Sequence, residues 1–120
     1  NVWSQVQPML VSGDFDKASQ SFYVFLARWP ASGYAASARY WQGNALYGKR
    51  DYKEAINAFR MFLAKEPDSA RASEALLAIA NSQAEMKDKP AARKTLDELI
   101  KTYPQSEAAV AGKERLAALK

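Results

Sequence analysis

The stretch Arg50-Asp51-Tyr52-Lys53-Glu54-Ala55-Ile56-Asn57-Ala58-Phe59-Arg60-Met61-Phe62-Leu63-Ala64-Lys65-Glu66-Pro67-Asp68-Ser69 decides the fold, because its marks return 37 residues away on both sides. Asp51 is matched by Asp14 and Asp88, Ala55 by Ala18 and Ala92, Phe59 by Phe22 and Leu96, and Phe62 by Phe25 and Leu99. Pro67 is matched by Pro30 and Pro104, and Ser69 by Ser32 and Ser106. Self-similarity at a fixed period of about 20 to 50 residues marks a stacked-repeat architecture, in which each unit buries its apolar face against the next.

The apolar positions Ala55, Phe59, Phe62 and Leu63 recur at helical steps of three and four. Each unit is therefore read as a pair of helices. The second helix begins at Asp14, Asp51 or Asp88, where a carboxylate caps free amides and meets the positive end of the helix dipole. It ends before the proline, because the residue preceding proline is pushed out of the helical region. Ser32, Ser69 and Ser106 are expected to cap the next unit's first helix. Gly13 supplies a tight turn between helices, with Arg50 and Lys87 in the same column. Small residues at Ala38, Gly43, Ala45, Ala55, Ala75, Ala80 and Ala92 let the helices approach closely. Pro8 falls inside the expected first helix of unit one, which should start late or bend there.

The fold class that follows is all-α: a stack of three helix-turn-helix repeats, about 1–32, 33–69 and 70–106, with a capping helix at 107–119, all in one domain spanning 1–120. Composition narrows the chemistry. Among 120 residues there is no cysteine and no histidine, so disulfides, thiol nucleophiles, Cys/His zinc sites and imidazole-based triads are excluded. The net charge of +4 is spread too thinly for a nucleic-acid stripe. No apolar run has the roughly 20 residues of a membrane span. Asn1-Val2-Trp3 does not read as the start of a signal peptide, so the chain is expected to be a mature or excised piece.

Two motifs invite a catalytic reading and fail on chemistry. Gly43-Asn44-Ala45-Leu46-Tyr47-Gly48-Lys49 fits G-x-x-x-x-G-K, but Arg50 follows where a phosphate loop needs Ser or Thr, and no strand precedes it. Asp97, Glu98 and Glu54 lie on faces the repeat assigns to solvent, too divergent to pair for acid–base work. No catalytic residue, metal site or cofactor is expected.

The segment Gly43-Asn44-Ala45-Leu46-Tyr47, then Asp51-Tyr52-Lys53-Glu54-Ala55-Ile56, Phe59 and Pro67 resembles a tetratricopeptide (TPR) repeat, lengthened by three residues after the proline. With Trp29-Pro30-Ala31-Ser32-Gly33-Tyr34, Tyr40-Trp41-Gln42-Gly43 and Tyr103-Pro104-Gln105-Ser106-Glu107-Ala108-Ala109, the whole chain is similar to the C-terminal TPR domain of the periplasmic Tol-Pal cell-division coordinator family (YbgF/CpoB). The family's N-terminal coiled coil is missing, and Gln42 stands where such sequences often carry an aliphatic residue. The resemblance implies a right-handed superhelical TPR stack working in the periplasm as a non-enzymatic docking module. By that resemblance it would couple outer-membrane constriction to septal peptidoglycan synthesis. The implied partners are a TolA-type inner-membrane bridging protein and a bifunctional peptidoglycan synthase, with no nucleic acid or membrane insertion, and with trimerisation depending on the missing coiled coil. A TPR lipoprotein of outer-membrane barrel assembly, or an accessory domain of a cell-wall enzyme, would share the fold.

In TPR proteins the first helices line a concave groove. The resemblance therefore places there the stripe Ser37, Tyr40, Asn44 and Tyr47 and its 37-residue counterparts, Glu74, Leu77 and Asn81 in the following unit and Trp3 and Gln7 in the preceding one. Gln7, Asn44 and Asn81 would form a ladder of amides able to donate to and accept from a peptide backbone. Trp3, Glu74 and Ala78 stand where carboxylate-binding TPR domains carry Lys or Arg, which argues against capture of a chain-terminal carboxylate.

Overall fold

The computed structural model describes residues 13–29 and 33–119. Among these the fold is a run of six helices without strands: α1 (Phe15–Arg28), α2 (Ala35–Gly48), α3 (Tyr52–Lys65), α4 (Ala72–Glu85), α5 (Lys89–Thr102) and α6 (Glu107–Ala118). The helices α1, α3 and α5 start at Phe15, Tyr52 and Lys89, each 37 residues from the last, and α2 and α4 start at Ala35 and Ala72 with the same offset. Each helix packs on its neighbours in sequence, while α2 also touches α4 and α4 touches α6. The array measures 42 × 27 × 20 Å.

Local chemistry fixes the boundaries. Asp14 and Asp88 accept hydrogen bonds from the amides of Lys17 and Ala91 at the starts of α1 and α5, and Ser106 caps α6 through the amide of Ala109. Ser69 does not cap α4 as expected. Its hydroxyl accepts from the Arg71 amide at 3.2 Å, and the Ala72 amide bonds the Ser69 carbonyl at 3.0 Å. The residues after Pro67 thus form an extra turn, and Arg71 becomes the capping position. The expectations for Ser32, Pro8 and the first helix of unit one lie outside the described residues.

Gly13, Arg50 and Lys87 all have positive φ, at 81°, 68° and 65°. The backbone reason is visible at the ends of α2 and α4. The amides of Asp51 and Arg50 return to the carbonyls of Leu46 and Tyr47, and those of Asp88 and Lys87 return to Gln83 and Ala84. Such a closing motif demands a left-handed residue, normally glycine. Arg50→Gly and Lys87→Gly are each expected to stabilise the fold by about 0.5–1 kcal/mol, read as a raised urea midpoint; an unchanged or lowered midpoint would contradict the turn assignment.

One core cluster joins Leu46, Phe59, Phe62, Leu76, Ile79, Leu96 and Leu99, and a second joins Phe22, Leu26, Ala38 and Ala45. The small residues of the sequence pattern sit where helices cross: Ala45, Ala55, Ala75 and Ala92 are fully covered. Gly43 lies inside α2 against the Phe59 ring, and Gly48 is the last residue of α2. The segment that mimics a phosphate loop is therefore a packing surface.

A candidate docking face on alternate helices

The face shared by α2 and α4 carries most of the polar and aromatic residues singled out in the sequence. Tyr40 donates its hydroxyl to Oε2 of Glu74 at 3.0 Å, tying α2 to α4. Its ring is only 7% exposed and packs edge-on against Trp41 and Phe59, with Phe62 at a centroid distance of 5.3 Å. The sequence reading placed Tyr40 in an open groove, and burial corrects it: the ring belongs to the core and only its hydroxyl edge meets the face. Helix α2 packs between α1 and α3 and also touches α4, so its buried arc is wider than a single stripe.

Burial pushes the Tyr40 hydroxyl above the usual tyrosine range. The neighbouring Asn44 side chain opposes that rise, and the Glu74 carboxylate adds to it. Arg71 lies over this cluster, its guanidinium carbon 5.5 Å from the Tyr40 ring centroid and 5.1 Å from that of Trp41. These are cation–π distances. They hold a positive head group at the rim of the face.

Further along α2, Tyr47 is half-buried and meets Tyr52 edge-on at 5.4 Å. Its hydroxyl is also raised above the usual range, first by burial and then by Glu85 and Tyr52, with Arg115 of α6 acting in the opposite direction. On α4, Leu77 is half-buried against the main core, Asn81 is half-buried, and Glu74 is exposed, as is Ser37 on α2. Asn81 makes no side-chain hydrogen bond among the described residues. The structure thus joins Tyr40 and Glu74 by a hydrogen bond with Asn44 beside the Tyr40 hydroxyl, and sets Leu77 and Asn81 further along α4. Trp3 and Gln7 lie outside the described residues.

Sequence reasoning missed Arg71, which carries the cation–π contact. It also missed Gln83, whose side-chain oxygen accepts from the Thr95 hydroxyl at 2.6 Å and locks α4 to α5. A signal for Arg71 was available in its column, where Tyr34 stands 37 residues earlier and Ala108 stands 37 later. Among the described residues there is no cluster of carboxylates that could hold a metal ion, and no helix is long and apolar enough to cross a membrane.

Comparison with known proteins agrees with this architecture. Two relatives, both named cell division coordinator CpoB, one from Pseudomonas putida KT2440 and one from Pseudomonas putida, are 53% identical over 38 residues. That match covers 32% of this chain and 14% of each relative. The family model described as YfiO, outer membrane lipoprotein, matches residues 1–120. It is a TPR-type family, whose domains are typically protein-binding modules rather than enzymes. Repeating helix pairs and a match over the full sequence lead to one assignment: the chain belongs to the YfiO outer membrane lipoprotein family of TPR-type domains.

Proposed function

We propose that the chain is a docking module of the bacterial envelope, built as a right-handed superhelical stack of three TPR units with α6 as its cap, and that it holds partner segments along the face of α2, α4 and α6. The observation that carries this reading is the pair of half-buried amides, Asn44 and Asn81, one repeat apart on adjacent helices. Asn44 lies beside the Tyr40 hydroxyl, whereas Asn81 offers both donors and its acceptor. Ser37, Tyr47, Glu74 and Leu77 would contribute contacts around them, with Trp3 and Gln7 extending the row in the preceding unit. Tyr40 shapes the face by anchoring Glu74.

The similarity to cell division coordinator CpoB supports a periplasmic role in the Tol-Pal system, with a TolA-type bridging protein and a bifunctional peptidoglycan synthase as partners. In that role the module couples outer-membrane constriction to septal peptidoglycan synthesis. The whole-chain family match supports a second reading, a TPR lipoprotein of outer-membrane barrel assembly. The two differ upstream of Asn1: a coiled coil there supports the first, and a lipobox cysteine the second.

The binding test must spare the core, so Tyr40 is changed only to Phe. The variant Tyr40→Phe/Asn44→Ala/Asn81→Ala is expected to keep its helical circular dichroism and to bind a TolA segment at least about tenfold more weakly, or about 1.4 kcal/mol. Unchanged affinity in the folded variant would remove the site from this face.

A further inference from the structure

A second surface lies on the other set of helices, where α1 meets the turn joining α2 to α3. It is a cleft of about 760 Å³, lined by Tyr23, Val24 and Ala27 of α1 beyond the polar Asp16, Ser19 and Gln20 of the same helix, by the buried Leu46, and by Asp51 and Glu54 at the start of α3. Tyr23 and Val24 are 56% and 60% exposed.

The repeat itself provides the control. At the columns of Tyr23, Val24 and Ala27, α3 carries Arg60, Met61 and Ala64, and α5 carries Asp97, Glu98 and Lys101. There the fold accepts fully charged residues, and Glu98 reaches back to Arg60 of α3 at 3.5 Å. Packing therefore does not require Tyr23 or Val24 to be apolar. Exposed aromatic and aliphatic side chains where the same scaffold tolerates charge mark a contact surface.

The capping aspartates make the same comparison. Asp14 and Asp88 direct their carboxylates to their own helix amides, whereas Asp51 makes no side-chain capping bond. The side chains of Asp51 and Glu54 have no hydrogen-bond or ion-pair partner among the described residues. The cleft thus holds three carboxylates, Asp16, Asp51 and Glu54, against the single ammonium of Lys49, which pairs with Asp16 at 3.3 Å. Its local charge is negative on a chain whose net charge is +4.

From the apolar side chains and the unpaired carboxylates that line this cleft together, we infer that it docks a basic amphipathic segment of a protein partner. Its apolar side chains would lie on Tyr23 and Val24, and its Lys or Arg residues would reach Asp51 and Glu54. Complementary charge favours such a segment over an acidic one, and it repels an anionic lipid surface. This site is separate from the face of α2 and α4, and does not depend on what binds there.

The test uses the ¹⁵N-labelled 120-residue chain and three synthetic peptides of about 18 residues, or about 27 Å as helices. One is a leucine–lysine amphipathic helix, one has the same composition with the apolar stripe scrambled, and one carries glutamate in place of lysine. The expected result is that only the first peptide shifts amide resonances, and that the shifts cluster at residues 20–27 and 49–54. Tyr23→Asp/Val24→Glu, which installs the residues found at these columns in α5, is expected to weaken binding at least about tenfold. Asp51→Asn/Glu54→Gln, both at half-buried positions and leaving Tyr23 and Val24 intact, should weaken it several-fold and flatten its salt dependence. Equal binding of all three peptides, shifts centred on α2 and α4, or wild-type affinity in both variants would overturn the inference.

Discussion

Phe59→Ala is expected to lower the unfolding free energy by about 3–5 kcal/mol, enough to leave much of the chain unfolded if total stability lies near the lower end of the ordinary range of about 5–15 kcal/mol. The ring is fully buried at the centre of the main core, in contact with Tyr40 of the preceding helix and with the open Cα of Gly43. Truncation leaves a cavity that three helices cannot close together, because α3 is held on one side by α2 and on the other by α4. Urea denaturation followed by circular dichroism measures the loss. A cost below about 1 kcal/mol would show that the two sides collapse into the gap.

Gly43→Ala is the second large effect, and it acts through the same ring. A Cβ at position 43 would lie 2.8–2.9 Å from three Phe59 ring atoms, closer than carbon atoms approach. Alanine favours the helix by about 1 kcal/mol over glycine, but overpacking costs about 1–3 kcal/mol. The rigid, enclosed ring has no free rotamer to take, so the cost is expected at the upper end of that range and the net result to be destabilising by up to about 2 kcal/mol. The double variant tests the cause. In a Phe59→Ala background the clash is gone and the helix preference remains, so Gly43→Ala should there become neutral or stabilising, a coupling measurable by a double-mutant cycle. Additive costs would place the origin of the Gly43 effect elsewhere. Gly48 provides a contrast: its added Cβ would meet Phe15 at 2.6 Å, but Phe15 is half-buried at the first position of α1. A ring at a helix end can swing away, so Gly48→Ala should cost less.

Much of the fold was legible because it is written three times. The aspartates at 14, 51 and 88 and the prolines at 30, 67 and 104 bracket α1, α3 and α5 closely. The column of residues 13, 50 and 87 proved to be left-handed throughout. Ser69 was misread because a proline followed by Asp-Ser is compatible with either an immediate cap or a further turn, and the packing of α4 on α3 decides between them. Tyr40 was misread because helical spacing locates a residue on a helix but not the number of neighbours that helix has. A tyrosine with an apolar ring and a polar tip satisfies both a core and a groove. Gln42, which departs from the aliphatic residue common in similar sequences, is nevertheless buried at 6% exposure. The cleft beside α1 was readable in principle, since Tyr23 departs from a repeat column that otherwise carries Arg60 and Asp97. Its recognition required the fold to show that this column faces outward.

Two side-chain contacts described above, Tyr40 to Glu74 and Arg60 to Glu98, join helices one repeat apart: the first links α2 to α4, the second links α3 to α5. They lie on the two alternating helix sets of the same stack, so a flexing motion that stretches one relaxes the other. The pair acts as opposed stays on a sprung beam. The tyrosine stay is half-enclosed and short, while the arginine stay is open to water and screened by salt. The array should therefore be stiffer against opening the α2–α4 side than against opening the α3–α5 side, and rising ionic strength should slacken only the latter.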